Sequence, residues 1–149
     1  MAKALLDTDI FSEVLRAVDP TVISRARDYH AEFGAYSIST VTVMEIVKGF
    51  HRVQREARLL DFMSALPSLE VLTLDAVSAA LSGRIYADLE RTGQPIGRAD
   101  PMIAGIAIAN ERVLVTGNTA HFQRIQDLGY DLRLDNWRAP RDELREDPS

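Results

Sequence analysis

The stretch that decides the fold is ADPMIAGIAIANERVLVTGN, residues 99–118. Asp100 followed by Pro101 predicts a helix start, because an acid caps the first turn and proline suits the first helical position. The helix that follows is almost wholly apolar, and the chain then enters RVLVT, a β-branched strand over 112–116. An apolar helix that leads directly into a buried strand is typical of an α/β protein in which other elements cover the helix.

The same alternation of strand and helix extends outward from this stretch. Further short strands are predicted over 3–7, 35–39, 69–74 and 132–134. Further helices are predicted over 10–18, 21–33, 41–50, 56–65, 76–91 and 119–126, with Asp9, Ser39 or Thr40, and Asp75 as N-caps. Strands that alternate with helices imply crossover connections, and hence a mostly parallel sheet with helices on both faces.

The composition is that of one ordinary globular domain. The chain has 149 residues, of which 46% are hydrophobic and 26% charged, enough apolar material for a core. It contains no cysteine, which excludes disulfides, cysteine-ligated zinc, iron–sulfur clusters and thiol nucleophiles. Such a chain suits a reducing cytoplasm, where we expect the protein to act.

No secretion or membrane segment is expected. The apolar run from Met102 to Ala109 is interrupted by Gly105 and falls short of the roughly 20 residues that a span needs. The three histidines, at 30, 51 and 121, are too scattered for a close-spaced metal motif.

The net charge of −5 argues against non-specific coating of nucleic acid. Of the 17 basic residues all but Lys3 and Lys48 are arginine, which suits bidentate contact with phosphate. The run KGFHRVQREAR, residues 48–58, is typical of a solvated helix face, but it follows Glu45 directly and could guide a phosphate backbone.

Acidic and hydroxyl side chains are concentrated where two of the predicted strands end. The strand KALLD runs into Asp7, Thr8 and Asp9, and RVLV runs into Thr116 and Asn118. Ligands of open α/β sheets bind at the carboxyl ends of the strands, so these residues are candidates for a functional site.

Two helices add an acid in an apolar setting. Glu45 lies within TVTVMEIVKGF, residues 40–50, and Asp100 precedes PMIAGIAIA. Carboxylates brought together repel one another, which raises the pKa of at least one unless a cation is present. Oxygen ligands without nearby His or Cys favour Mg²⁺ or Mn²⁺ over zinc. The pattern therefore predicts a hard-cation site, and two such ions stand about 3.5–4 Å apart in many nucleases and phosphatases.

Each of these residues also has a purely structural interpretation. Asp7 could simply end a strand, and Asp9 fits a helix cap better than a metal ligand. Asp100 can cap and bind at once, because each role needs one carboxylate oxygen. The neighbours of Glu45 at i−4, i−3 and i+4 are Val41, Thr42 and Gly49, all uncharged, which favours a functional role over a solvated charge stripe. His121 is expected to be structural or a surface group.

Four motifs, in this order, carry a family resemblance: LLDTDIFSEVL (5–15), TVTVMEIVKG (40–49), GQPIGRADPMIAGIA (93–107) and LVTGNTAHFQRIQDLGYDLRLDNW (114–137). Together they resemble the PIN-domain ribonucleases, and most closely the VapC-type toxins of bacterial type II toxin–antitoxin pairs. The resemblance implies a PIN-like three-layer α/β fold, with a mostly parallel central sheet of four to five short strands flanked by helices. It assigns residues 1–137 to a PIN domain, and the polar stretch 138–149 is predicted to be a frayed C-terminal tail.

The resemblance also implies a catalytic site for Mg²⁺- or Mn²⁺-dependent hydrolysis of RNA phosphodiester bonds by metal-activated water. Asp7 and Asp100 would hold the metal, and Glu45 would bind it or orient the attacking water. The fourth position falls on Asn118, where many PIN proteins have an acid. Asn118 and Thr116 would hydrogen-bond the water, a ligand or a phosphate.

Two further sets of residues complete the expected site. Those expected to support the acids are Thr8, Asp9 and Thr116. Those expected to guide RNA towards them are Lys48, Arg52 and Arg98. Asp9 stands where such toxins commonly have Asn or Ser, and Arg98 where a small residue or proline is common.

The resemblance further implies macromolecular partners. These are an RNA substrate, a cognate VapB-type antitoxin whose C-terminal segment fills the active-site groove, a second copy in a homodimer, and a toxin–antitoxin hetero-oligomer.

Other functions remain open at this stage. The DTD motif at 7–9 imitates the opening of haloacid-dehalogenase-like phosphatases, but Phe11 stands where that family has Thr or Val. That family and the response-regulator receivers also need a later lysine, and none follows Lys48. A catalytically silent PIN-like protein-binding domain would keep the acids only for capping and folding.

Overall fold

The computed structural model describes residues 1–139 of the chain, so residues 140–149 of the predicted tail lie outside it. Within this range the strands are β1 (Ala4–Leu6), β2 (Ser37–Ser39), β3 (Glu70–Leu72), β4 (Val113–Val115) and β5 (Leu134–Asp135). The helices are α1 (Thr8–Arg16), α2 (Pro20–Phe33), α3 (Thr40–Arg52), α4 (Glu56–Ala65), α5 (Ala76–Arg91), α6 (Ala99–Ala109) and α7 (Thr119–Asp127), with a 3-10 turn at Leu66–Ser68. This order confirms the predicted α/β class.

The five described strands pair in parallel, but they form two sheets instead of the single sheet expected. One sheet has the order β1-β4-β5 and the other pairs β2 with β3. β1 and β2 lie side by side, but side chains satisfy the backbone groups between them. The Ala4 N–H donates to the Tyr29 hydroxyl over 3.0 Å, and Arg112 Nη1 donates to the Ala4 carbonyl oxygen over 3.5 Å. These bonds replace part of the ladder that would have joined the sheets.

Alternation along the strands divides the core into two layers, which confirms the three-layer arrangement. Leu6 and Val115 belong to a cluster formed with α1, α2, α3 and α4. Leu5 and Leu114 point the other way, into a cluster dominated by α5, α6 and α7. Neighbouring residues of a strand face opposite sides of the sheet, so each short strand contributes to both layers.

Helix α6 is buried, as its sequence predicts, and it packs tightly against α5. A Cβ on Gly105 would lie 2.1 Å from the Ser82 hydroxyl oxygen and 2.8 Å from the Ser78 carbonyl oxygen. Only glycine permits this approach of two helices, which fixes the position of Asp100 at the start of α6. In the part of the chain that the structure describes, no helix combines the length and apolarity needed to cross a bilayer.

Two of the predicted helix caps are wrong. Asp7, not Asp9, is the N-cap of α1, because β1 already ends at Leu6 and the Asp7 side chain accepts from Thr8 N. Helix α6 begins at Ala99, with Arg98 as its N-cap, so Asp100 lies inside the first turn. The Asp100 carboxylate is directed towards a different helix and makes no side-chain cap.

Candidate functional site

Asp7 lies at the carboxyl end of β1, and its side chain is held by two donors. Its Oδ1 accepts a hydrogen bond from Thr8 N, and its Oδ2 accepts one from the Thr116 hydroxyl, both over 2.8 Å. Thr116 follows β4, the parallel neighbour of β1, so the two strands end at the same edge of the sheet. The Thr116 oxygen also accepts from Asn118 N over 3.0 Å, which fixes the loop after β4.

The electrostatic environment of Asp7 disfavours its charge. Burial raises the pKa of this carboxyl to about 7, and the negative charges of Asp9 and Asp100 act in the same direction. The hydrogen bonds from Thr116 and Thr8 oppose this rise but do not cancel it. Within residues 1–139 no basic side chain forms an ion pair with Asp7.

Thr8 connects the start of α1 to the acid on α3. Its hydroxyl donates to Glu45 Oε1 over 2.6 Å, and its oxygen lies 2.9 Å from the hydroxyl oxygen of Thr42. Thr42 is fully buried at the first turn of α3, where Ser39 caps the helix. The structure thus places Glu45 beside the first turn of α1, although 38 positions in sequence separate it from Asp7.

Asp100 reaches the same region from α6 through a histidine. Its Oδ2 lies 3.6 Å from His121 Nδ1, and that nitrogen lies 2.8 Å from Asn118 Nδ2. Burial raises the pKa of Asp100; His121 lowers it, while the charges of Glu45 and Asp9 raise it again. The interpretation of His121 as a structural or surface group missed this contact, whose signal is the three-residue spacing from Asn118 at the start of α7.

Asp9 faces a different set of partners. Its Oδ1 accepts from Ile10 N over 2.7 Å, and its Oδ2 accepts from Gly117 N over 3.1 Å. The same Oδ2 lies 3.7 Å from Arg138 Nη1. Arg138 is the first residue of the predicted tail, and its Nε donates to Glu13 on α1 over 2.6 Å.

The donor chemistry of this edge fits a hard divalent cation. Its carboxylate, hydroxyl and amide oxygens are the ligand types that Mg²⁺ and Mn²⁺ accept. The acids lie close enough to raise one another's pKa, a repulsion that a cation would relieve. Among residues 1–139, however, no three His, Asp or Glu side chains stand together as a ready-made metal cluster. Glu45 and Asp100 are only partly buried, unlike Asp7.

A groove leads away from the acids along α3. It has a volume of about 410 Å³ and extends from Thr8 and Glu45, past Gly49 and Phe50, to Arg55. A larger cavity of about 590 Å³ lies elsewhere, beside Tyr29 and Trp137, and none of the residues predicted for the site lines it. Of these two cavities, the groove is the one lined by a predicted site acid, Glu45.

The basic residues predicted to guide RNA are all exposed. Lys48 and Arg52 follow Glu45 on α3, and Arg98 precedes α6. Within the described residues none of the three forms an ion pair with an acid of the site.

Comparisons with known proteins place the chain among proteins of one family. Residues 4–128 match the family described as the PIN domain. The chain is 35% identical over 138 residues to the tRNA(fMet)-specific endonuclease VapC of Shigella flexneri, covering 92% of this chain and 99% of the relative. It is 30% identical over 141 residues to Ribonuclease VapC2 of Haemophilus influenzae, covering 92% and 99%.

Solved structures show the same similarity. The crystal structure of DNA-bound VapBC from Salmonella typhimurium matches with a TM-score of 0.77 and 31% identity, covering 92% of this chain and 99% of that one. VapBC2 from Rickettsia felis, bound to a DNA fragment from its promoter, matches with a TM-score of 0.72 and 27% identity, covering 90% and 98%.

Proposed function

The chain belongs to the PIN domain family, and from this premise we propose that it is an endoribonuclease that acts as the toxin of a toxin–antitoxin pair. The observation that carries the proposal is the edge where β1 and β4 end. There the Asp7 carboxylate is bound by Thr116 and Thr8, and Thr8 is bound in turn to Glu45. Asp100 joins this edge through its electrostatic coupling to Glu45 and Asp7.

PIN-domain nucleases of the VapC type depend on a divalent metal, and we propose Mg²⁺ or Mn²⁺ for this chain. Asp7, Asp100 and Glu45 would hold the ion, because they supply hard oxygen donors at one edge of the sheet. When bound, the ion supplies an activated water and a positive charge opposite the phosphate oxygens.

The protein's own side chains would orient the reaction. Thr116 and Thr8 fix the plane of the Asp7 carboxyl by bonding one oxygen each. Thr8 directs one oxygen of Glu45, and the other oxygen would bind the ion or orient the attacking water. The exposed amide of Asn118 would donate to a phosphate oxygen.

The groove along α3 would receive the RNA strand. Lys48 and Arg52 stand on the helix that carries Glu45, and Arg55 lies at the far end of the groove. We propose that these residues, together with Arg98, bind backbone phosphates and orient the strand without reading its sequence. Since two relatives are named as tRNA(fMet)-specific endonucleases, tRNA is the first substrate to test.

The solved neighbours are complexes of VapB with VapC, so we propose a VapB-type antitoxin as the regulatory partner. Its C-terminal segment would occupy the same groove as RNA and thereby block cleavage. We further propose a homodimer within a toxin–antitoxin hetero-oligomer that acts in the cytoplasm. A haloacid-dehalogenase-like phosphatase and a silent binding domain are not favoured, because relatives matched over most of their length are named ribonucleases.

The test is cleavage of total tRNA by the purified chain with Mg²⁺ or Mn²⁺, with and without EDTA. Wild-type protein should cleave, EDTA should abolish cleavage, and Asp7→Asn and Asp100→Asn should abolish it as well. Asp61→Asn is the matched control, since Asp61 is an exposed acid of α4 outside the site. Undiminished cleavage by Asp7→Asn or Asp100→Asn would show that the assigned residues are wrong, and cleavage that survives EDTA would remove the metal from the proposal.

A further inference from the structure

The guanidinium of Arg138 lies against the backbone of the loop that follows β4. A Cβ on Gly117 would lie 1.8 Å from Arg138 Nη1 and 2.8 Å from Asp9 Oδ2. The loop backbone is therefore enclosed between an arginine and an aspartate, and a side chain at position 117 would have to displace one of them. Arg138 is held in place by Glu13, which accepts from both its Nε and its Nη2.

Asp9 is committed to contacts within the chain. Both of its oxygens accept backbone N–H groups, one from Ile10 in its own helix and one from Gly117 across the edge. The bond to Gly117 joins α1 to the loop that carries Thr116 and Asn118. We call Asp9, Glu13, Gly117 and Arg138 the clasp.

We propose that Arg138 is a positioning residue that holds Asp9 as the acceptor of the Gly117 N–H and keeps this carboxylate away from the metal site. The inference rests on the proposed function, because it concerns the ion that Asp7 and Asp100 would bind. The Asp9 carboxylate carries a negative charge, and among residues 1–139 Arg138 is the cation that forms an ion pair with it.

Without Arg138, Asp9 would keep its two backbone N–H donors but would lose its ion pair. Asp9 lies two residues after Asp7 in the first turn of α1, and its partner Gly117 follows Thr116, which bonds the Asp7 carboxylate. Removal of the arginine would therefore release a carboxylate next to two others, and a divalent cation would be the partner that relieves the repulsion. The clasp thus limits how strongly the edge binds a metal.

The test measures Mn²⁺ binding by calorimetry on the full chain freed of metal by EDTA and dialysis. The variants are Asp9→Asn, Arg138→Gln and the double variant. Asp9→Asn should bind Mn²⁺ within about twofold of wild type, because the amide oxygen still accepts from Gly117. Arg138→Gln should bind about fivefold more tightly. In the Asp9→Asn background, Arg138→Gln should change the affinity by less than about twofold.

Arg133→Gln is the matched control, since Arg133 is exposed and bonds only the Glu111 carbonyl among its described contacts. If Arg138→Gln changes the Mn²⁺ affinity equally in the wild-type and Asp9→Asn backgrounds, the effect comes only from the long-range charge of the arginine. That result would overturn the proposal. So would a roughly tenfold weaker affinity for Asp9→Asn, which would make Asp9 a ligand. If Arg138→Gln lowers the melting temperature but leaves the Mn²⁺ affinity unchanged, Arg138 only stabilises the fold and the proposal is wrong.

Asp7→Asn separates this inference from the proposed function. If Asp7→Asn binds Mn²⁺ as tightly as wild type, the assigned metal site is wrong, whatever the clasp variants do. If Asp7→Asn loses Mn²⁺ binding while the effects of Asp9→Asn and Arg138→Gln simply add in the double variant, the assigned metal site is supported and the proposed role of Arg138 is wrong. A wild-type chain that binds no Mn²⁺ overturns both.

Discussion

Two carboxylate clusters stand at strand ends, one in each sheet, and they differ in their electrostatics. At the amino ends of β2 and β3, Glu70 accepts from the Ser37 hydroxyl over 2.5 Å and pairs with Arg112 over 2.8 Å. At the carboxyl ends of β1 and β4, Asp7 accepts from the Thr116 hydroxyl but forms no ion pair within residues 1–139. The pKa of Glu70 is lowered, first by the Ser37 bond and further by Arg112, whereas the pKa of Asp7 is raised to about 7.

The difference teaches how to separate a structural acid from a functional one. Both carboxylates accept from a hydroxyl at the end of a strand, so hydrogen bonding alone does not distinguish them. The Glu70 cluster is complete, because Arg112 supplies the opposite charge. The Asp7 cluster carries excess negative charge, and such an imbalance is typical of a site that binds a cation during function.

The largest expected effect concerns activity. Asp7→Asn should lower the rate of RNA cleavage by about 100-fold or more, because it removes a charged ligand worth several kcal/mol in the transition state. Glu70→Gln should change that rate by less than about twofold, since its cluster only joins the strands. Single-turnover cleavage of tRNA with saturating Mn²⁺ measures both. If the two variants lose activity equally, the distinction between the clusters is wrong.

The second prediction concerns the stability of the metal-free protein between pH 4 and pH 8. Unfolded Asp7 ionises near its ordinary pKa of 3.8, whereas folded Asp7 ionises near 7. Between these values the folded state binds the extra proton, so the free energy of unfolding should fall as pH rises and level off above pH 7. The fall due to Asp7 should be at most about 4 kcal/mol.

Urea unfolding in EDTA at several pH values measures this fall, with Asp7→Asn as the comparison. The difference in stability between the variant and wild type should shift in favour of the variant as pH rises from 4 to 7. Mn²⁺ should restore wild-type stability at pH 7 and leave Asp7→Asn unchanged. A pH-independent difference would show that Asp7 is not a raised-pKa acid.

Most of the fold could be predicted from local sequence signals. The boundaries of α4 and α5, Glu56–Ala65 and Ala76–Arg91, match the expected ones, because proline, glycine and capping residues stand at or near their ends. The division into two sheets could not be predicted. It depends on the Tyr29 hydroxyl reaching Ala4 N across 25 positions, a contact that no local pattern encodes.

The candidate site could be predicted in part. The residue types and strand ends pointed to Asp7, Glu45 and Asp100, and the structure brings them to one edge. The roles of His121 and Arg138 could not be inferred, because each depends on a contact with a distant element. The cap assignment of Asp9 failed because Asp7 and Asp9 are equally good capping residues, and only the end of β1 decides between them.

The third prediction concerns Arg112, the arginine that forms an ion pair with Glu70. Arg112→Met should lower the free energy of unfolding by about 2 kcal/mol, less than for a fully buried pair, because water can reach the Glu70 side chain, which is 42% exposed. Cleavage should stay within about twofold of wild type. Thermal unfolding and tRNA cleavage measure the two effects, with exposed Arg133→Met as the control. A large loss of cleavage would place Arg112 in the site.

The smallest effect distinguishes the two hydroxyls. At pH 8 in EDTA, Thr116→Val should lower the free energy of unfolding by about 1 kcal/mol more than Ser37→Ala does. Thr116 is fully buried, and its hydroxyl also accepts from Asn118 N. After Ser37 is lost, by contrast, Arg112 still forms an ion pair with Glu70. The Thr116 bond lowers the pKa of Asp7, so its removal should extend the fall of stability with pH to values above 7. Ser37→Ala should instead move the pKa of Glu70 back towards its ordinary value. The two variants could instead lose the same free energy of unfolding, with stability falling over the same pH range in Thr116→Val as in wild type. Both hydroxyls would then only satisfy hydrogen bonds at the strand ends.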